Sequence, residues 1–221
     1  MAPAFVALSS LTGHFLLLGS SKSHDAEQSR EFSWMNAETL ETVHSFSDAL
    51  SPVSISDTEI GLWRRLRPPE VEFVIRKPDE PGRVITVPGH GWLRVVFVDQ
   101  DTLATEAGYF PITLVRTDGT LVETVTPNTH GLFSRVTPSA EGHRFAFTGS
   151  IIRNRSEIFS PNRPWEYVQR IHVYDMSTHS FVGDVKVHHS AKDQEFPLAL
   201  SPNGSMLAFL DGKSLTVYRL P

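Results

Sequence analysis

Histidine is the residue type in this chain that offers the most chemistry, with 10 copies among 221 residues. His90, His130 and His188 each follow one apolar stretch and precede the next. Neutral imidazole is the commonest metal ligand among side chains, so these three brought together could hold a divalent ion. The alternative is that each histidine caps a turn by hydrogen bonding to local backbone. Asp193 and Glu195 could add ligands, but their spacing is not diagnostic.

Two segments are rich in arginine, and each also contains a tryptophan. A guanidinium binds phosphate or carboxylate through paired hydrogen bonds, so these segments are candidates for contacting an anion or an acidic protein tail. The tryptophans would suit the same surface, or could cover the edge of a sheet. The alternative for the arginines is solvated loops paired with Glu70, Glu157 and Glu166. The candidate binding residues are Trp63, Arg64, Arg65, Arg67, Arg153, Arg155, Arg163, Trp165, His90 and His130.

Several classes of function are excluded by what the sequence lacks. It has no cysteine, which rules out disulfides, thiolate metal sites and cysteine nucleophiles. Nucleophile-elbow, phosphate-loop, zincin and calcium-loop motifs are absent, so no catalytic residue is nominated. The net charge of −5 argues against a general nucleic-acid binder. No apolar run reaches the roughly 18 residues of a membrane span.

The N-terminal residues MAPAFVALSS lack the basic region of a signal peptide. As the chain stands it reads as cytoplasmic, and it would be exported if an upstream signal were missing. The sequence leaves localisation open between these two readings.

The candidate residues must be positioned by short strands, because apolar periodicity of the helical kind is not sustained. Three segments align on a turn glycine: FVALSSLTGHFLLLGS at Gly13, FSRVTPSAEGHRFAFTGS at Gly142 and FPLALSPNGSMLAFLDG at Gly204. Each consists of an apolar strand, a polar turn and a second strand. Glycine supplies the positive φ that such a hairpin turn requires. The pattern therefore predicts the first two strands of a repeated sheet.

A second pattern, strand–polar turn–strand, occurs four times and predicts the third and outer strands. Its turns are placed at Asn36, Asp79, Asp118 and Ser177. Two degenerate inner pairs, PVSISDTEIGLWRR and WLRVVFVDQDTLATEA, complete the middle repeats. The predicted repeats span about 5–47, 52–89, 91–128, 133–187 and 196–221, a spacing typical of propeller blades, within one domain covering 1–221.

The motif LALSPNGSMLAFLDGKSLTVYRLP resembles the bacterial β-propellers of the TolB-like and YVTN-like superfamily, with RVTPSAEGHRFAFTG and IHVYDMSTHSFVG in support. The resemblance implies an all-β propeller of about five four-stranded antiparallel blades, the last one incomplete. In that fold the histidine connections and the arginine loops open on the same face. Because Pro3 to Leu8 already begin an inner strand, we expect an open ring or a chain that lacks N-terminal blades. A five-bladed ring is the alternative.

Two functions follow from this reading. The first is a non-enzymatic binding module or scaffold that contacts a protein or peptide, possibly an acidic one, through the loops of one face, and needs no cofactor. The alternative is a metal-assisted, lactonase-like hydrolase that uses His90, His130 and His188. The open edge of the last blade, at Lys213 to Leu220, also predicts self-association.

Overall fold

The computed structural model consists of β-strands joined by turns, and no helix occurs among the residues that it describes. Those residues are 4–21, 30–50, 52–67, 70–88, 94–106, 111–127, 136–141, 143–152, 167–188, 197–211 and 214–221. Within them, nothing has the length and apolar character of a membrane-spanning helix. The described strands form five sheets, and we number them 1 to 5 in chain order.

The chain divides into two compact units. The first unit consists of Met1–Thr105 and Thr113–Glu123, and it holds sheets 1 and 2 and most of sheet 3. Sheet 1 contains β1 (Ala4–Ser9), β2 (Phe15–Ser21), β3 (Arg30–Asn36) and β4 (Thr42–Asp48). Sheet 2 contains β5 (Pro52–Ile55), β6 (Ile60–Arg67), β7 (Glu70–Arg76) and β8 (Arg83–Pro88). Sheet 3 contains β9 (Arg94–Phe97), β10 (Thr102–Glu106), β11 (Ile112–Arg116) and β12 (Leu121–Val125).

The second unit consists of Glu106–Ile112 and Thr124–Pro221, and it holds sheets 4 and 5. Sheet 4 contains β13 (Thr137–Pro138), β14 (Arg144–Ile152), β15 (Tyr167–Asp175) and β16 (Ser180–His188). Sheet 5 contains β17 (Leu198–Leu200), β18 (Met206–Asp211) and β19 (Ser214–Arg219). In every sheet the strands pair in chain order.

The strands form where apolar and other residues alternate, because successive side chains of a strand point to opposite faces. In β7, Val71, Phe73 and Ile75 are fully buried while the residues between them are only partly covered. In β3, Phe32 and Trp34 are buried in the same alternating manner. The apolar residues at every second position of the sequence are thus the residues that the fold buries.

The turn between the first and second strands has the same construction in three sheets. Ser10, Ser139 and Ser201 each begin it, and the Oγ of each serine accepts a hydrogen bond from the backbone N–H five residues on, at 3.0 to 3.1 Å. This bond pairs the backbone N–H at the start of the second strand and fixes the turn.

Glycine has the predicted role in two of these turns. The φ angles of Gly13 and Gly204 are +81° and +67°, a region that glycine occupies without steric cost. The third turn glycine, Gly142, lies outside the described residues.

All four predicted turns between third and outer strands are confirmed, and Asn36, Asp79 and Asp118 lie in or next to them. In sheet 4 Ser177 lies in the turn as predicted, and Asp175 caps it. Its Oδ1 accepts a hydrogen bond from the backbone N–H of Ser177 at 2.9 Å. In sheet 1, Asn36 Oδ1 does the same for Glu38 at 2.8 Å.

Neighbouring sheets within each unit pack through apolar faces. Between sheets 1 and 2, the buried cluster comprises Leu17, Phe32, Trp34, Ile55, Ile60 and Leu62. Between sheets 4 and 5, it comprises Ala146, Ile171, Val173, Val187, Leu207, Phe209 and Leu220. Both interfaces consist of aliphatic and aromatic side chains, as in stacked sheets generally.

The fold class is therefore the predicted one. Four sheets of four antiparallel strands and a fifth of three, none closed into a barrel, have the topology of β-propeller blades. The assignment of residues 1–221 to one domain stays a prediction.

Candidate functional site

The first arginine segment lies on a strand, which corrects the expectation of a loop. Trp63, Arg64, Arg65 and Arg67 belong to β6, which continues until the two prolines that follow in the sequence. Proline cannot donate to a strand ladder and so marks its end, whereas arginine has no such effect. The loop assignment was wrong because the pairing of β6 with β7 extends through the charged residues.

Arg64 stands at an irregularity in that pairing, where the register shifts between Trp63 and Arg65. Its side chain is half exposed, and its Nε lies 3.6 Å from Glu72 Oε2. An exposed pair at this distance contributes little to stability. A guanidinium in such a place has donors to offer an external carboxylate or phosphate.

The strand ends that border the candidate segments meet at one end of each sheet. In sheet 2, Glu70 pairs with both Arg67 and Pro88, and His90 follows Pro88 by two residues. Antiparallel order therefore brings the start of the histidine connection to the strand end that carries the arginines.

Sheet 4 repeats this arrangement. Ile152, the last residue before Arg153 in the sequence, pairs with Tyr167, and the next residue along β15, Val168, pairs with His188. In each of these two sheets, the strand end next to the arginine segment and the strand end next to the histidine segment therefore lie at the same end of the sheet.

The remaining predicted site residues cannot be placed on this frame. Arg153, Arg155, Arg163, Trp165, His90 and His130 lie outside the described residues, and of His188 only the strand position is described. Among the side chains that the structure does describe, no group of three histidine or acidic residues is arranged to hold a metal. The binding face and the metal site therefore both stay predictions.

The opposite end of the first unit carries a polar network that sequence reasoning missed. Asp57, in the first turn of sheet 2, accepts hydrogen bonds from Thr12 Oγ1 of sheet 1 and from Gln100 Nε2 of sheet 3, each at 2.7 Å. Burial raises the pKa of Asp57, but hydrogen bonds from Thr12, Ser10 and Gln100 outweigh that effect and hold it below its ordinary value. This carboxylate ties three sheets together.

A second such tie joins sheets 4 and 5. Arg144 donates from Nε to Asp175 Oδ2 at 2.7 Å, and from an Nη to the carbonyl oxygens of Gly204 and Pro221 at 3.1 and 2.9 Å. Burial raises the pKa of Asp175, but hydrogen bonds from Ser177 and Arg144 outweigh that effect, hold the pKa below its ordinary value and keep the carboxylate charged. Both side chains are largely buried, so the pair has a structural role.

His172 on β15 is a buried histidine that the sequence search did not single out. Its ring lies against those of Phe147 and Phe181, with centroids 5.4 and 5.8 Å away, and these two rings also lie against each other at 6.3 Å. Burial lowers the pKa of His172, Asp184 partly offsets this, and Arg170 lowers it again. Because successive side chains of a strand point to opposite faces, His172 faces away from Ile171 and Val173, and the alternation around it gave no signal of its burial.

No protein-family model and no curated protein sequence matches the chain. Solved structures do match its fold. Hydrazine synthase of Kuenenia stuttgartiensis aligns with a TM-score of 0.56 and 12% identity, over 92% of this chain and 54% of that one. KlAtg21, solved in complex with the coiled-coil of AgAtg16, aligns with a TM-score of 0.64 and 14% identity, over 99% of this chain and 66% of that one.

Hsv2 of Kluyveromyces lactis aligns over 99% of this chain and 74% of its own, at 11% identity and a TM-score of 0.48. The chain thus spans 54% and 66% of the first two structures. At such identities the likeness shows the fold alone, that of propeller-like proteins.

Proposed function

We propose that the chain is a non-enzymatic binding module that contacts a protein or peptide through the sheet ends bearing the arginine and histidine segments. The observation that carries the proposal is the likeness to KlAtg21, which was solved with a coiled-coil partner. Propeller-type sheets present many loops from one rigid frame, which suits recognition of a protein surface.

The chemistry of the partner follows from the arginines. Arg64 is half exposed, so its guanidinium is open to an acidic segment, and Arg65 and Arg67 follow it on the same strand. We place the chain in the TolB-like or YVTN-like superfamily on its SPNGSMLAF motif, and regard the partner as an acidic protein or peptide.

The test uses a fluorescent polyglutamate peptide as the probe and fluorescence anisotropy as the readout. Replacing Arg64, Arg65 and Arg155 with Ala should weaken binding roughly tenfold, because each exposed charge pair contributes up to about 1 kcal/mol. Arg116→Ala is the matched control, since Arg116 is equally exposed but lies at the turn end of sheet 3. Added salt should weaken binding to the wild type more than to the triple variant.

Equal loss in the triple variant and in Arg116→Ala would show unspecific attraction and contradict the proposal. A stoichiometric divalent ion that co-purifies with the chain, and is lost on replacing His90, His130 and His188, would favour the metal-assisted hydrolase instead.

We also propose that the chain associates with itself through sheet 5. Within the described residues, β19 pairs only with β18, so its other edge has unpaired backbone groups. Exposed edges of this kind invite pairing with another chain.

A further inference from the structure

Sheet 5 has one face that is apolar and open. Ala208 pairs with Val217 and Leu210 with Leu215, so these four side chains share that face. Leu215 is 68% exposed and Val217 is 49% exposed, and Leu210 is also exposed. Apolar side chains gathered on one face of a sheet in this way mark an interaction surface, unlike single exposed residues.

The same positions in sheet 4 are fully buried. Ala146 pairs with Val173 as Ala208 pairs with Val217, and Ile171 holds the position of Leu215. What covers the sheet 4 residues is sheet 5, which contributes Leu207 and Phe209, the residues on either side of Ala208.

Sheets 1 and 2 follow the same rule independently. Leu17 pairs with Trp34, and sheet 2 covers this pair with Ile60 and Leu62. These two residues flank Gly61 of β6 just as Leu207 and Phe209 flank Ala208 of β18. In both pairs of sheets, the later sheet thus covers the earlier one with two apolar residues near the start of its second strand, separated by one residue.

Sheet 1 has two apolar residues, Leu16 and Leu18, at the positions that cover an earlier sheet in the other two cases. Leu16 and Leu18 flank Leu17 on β2, and they point to the face opposite Trp34. Leu16 is partly buried and Leu18 is 40% exposed. Sheet 1 therefore presents the residues that cover a preceding sheet, while sheet 5 presents the residues that a following sheet covers.

We propose that these two faces bind each other between copies of the chain. Leu16 and Leu18 of one copy pack on Ala208, Leu215 and Val217 of the next. The proposal rests on the self-association proposed above but places it on two different faces rather than on the β19 edge. Because the two faces differ, the contact is head to tail, and it generates open chains or rings of copies rather than a closed symmetric pair.

The experiment measures the mass of the full chain by sedimentation velocity over a wide range of concentration. Wild type should form assemblies larger than the monomer as concentration rises. Leu18→Glu and Leu215→Glu should each be monomeric, because a carboxylate would be buried at the contact. Leu121→Glu is the matched control: Leu121 is exposed on the outer strand of sheet 3, and its replacement should leave the wild-type assemblies unchanged.

Mixing the two monomeric variants gives the decisive result. Leu18→Glu keeps an intact sheet 5 face and Leu215→Glu keeps an intact sheet 1 face, so the mixture should form a one-to-one dimer. A wild type that stays monomeric overturns both self-association and the head-to-tail contact. Assemblies that persist in both variants retain self-association through the β19 edge and overturn the head-to-tail contact, as does a mixture that stays monomeric.

Discussion

The third strands of sheets 4 and 5, β15 and β19, occupy the same place in the repeat. The residue after each strand donates its backbone N–H to the first turn of its own sheet, Met176 to His143 O at 2.9 Å and Leu220 to Ser205 O at 2.8 Å. Each strand also carries a tyrosine, Tyr174 or Tyr218, near that end. The local construction is therefore the same.

Their burial is nevertheless opposite. Ile171 and Val173 of β15 are fully buried, whereas Leu215 and Val217 of β19 are largely exposed. The residue types are alike, so the difference lies in whether a following sheet covers them. An apolar pattern predicts which face of a strand is meant to be covered, and a neighbouring sheet decides how much that coverage stabilises the fold.

The largest difference in stability is expected from truncating Ile171 and Leu215, which hold the same position in sheets 4 and 5. Ile171→Ala should lower the free energy of unfolding by about 3 kcal/mol, because it removes buried methylene groups and leaves a cavity. Leu215→Ala should change it by no more than about 0.5 kcal/mol, since the side chain is solvated. Urea unfolding followed by tryptophan fluorescence measures both, in the monomeric Leu18→Glu background so that association does not contribute.

Similar losses at the two positions would contradict the comparison. A large loss at Leu215 in that background would mean that β19 is covered within the single chain. Val217→Ala and Val173→Ala form a second matched pair with a smaller expected contrast, because valine has fewer atoms to lose.

Local signals explain what could be predicted from the sequence. The positive φ angles of Gly13 and Gly119 follow from turn chemistry within a few residues, and the strand order follows from their repetition. Arg64 was wrongly predicted to lie in a loop. The length of β6 depends on its pairing with β7, and the arginine residues do not reveal that pairing. His172 was missed because its burial depends on how Phe147 and Phe181 pack, a tertiary effect. The arginine and histidine face depends on segments outside the described residues.

The Arg144 tie is a second difference between the two sheets. Arg144 faces Asp175 across β14 and β15, while the corresponding pair in sheet 5 is Met206 and Arg219. Arg144→Met gives sheet 4 the residue of sheet 5 and leaves Asp175 buried without its cation. We expect a loss of about 2 kcal/mol, below the usual range for buried pairs because both groups keep some contact with solvent.

Met206→Ala is the control for that variant, since Met206 is exposed at the same position of sheet 5 and its truncation should be nearly neutral. Urea unfolding compares the two. If Arg144→Met costs no more than Met206→Ala, the tie is a surface pair of little weight.

The smallest expected effect is a dependence of stability on pH that arises in sheet 4 and not at the equivalent position of sheet 5. Thr216 in sheet 5 holds the position of His172 in sheet 4, so only sheet 4 carries a titrating group there. Burial holds the pKa of His172 below its ordinary value, so the folded chain resists protonation that the unfolded chain accepts. Between the two pKa values the unfolded state binds the extra proton, and stability must therefore fall as pH falls.

Because the pKa of His172 is lowered in the folded chain, the pH range in which stability is lost can be stated. Above the unfolded histidine pKa of about 6.5 both states are neutral, so the effect of His172 is absent there and grows as pH drops below that value.

His172→Gln, which is uncharged at every pH, should reduce the loss of stability between about pH 7.5 and about pH 5.5 relative to wild type. Thr216→Gln is the matched control, because it introduces the same residue at the equivalent position of sheet 5 and removes no titrating group. Urea unfolding at the two pH values provides the measurement. Parallel pH profiles for wild type and His172→Gln would show that the ring accepts a proton in the folded chain as readily as in the unfolded one, and that sheet 4 accommodates charge beside Phe147 and Phe181.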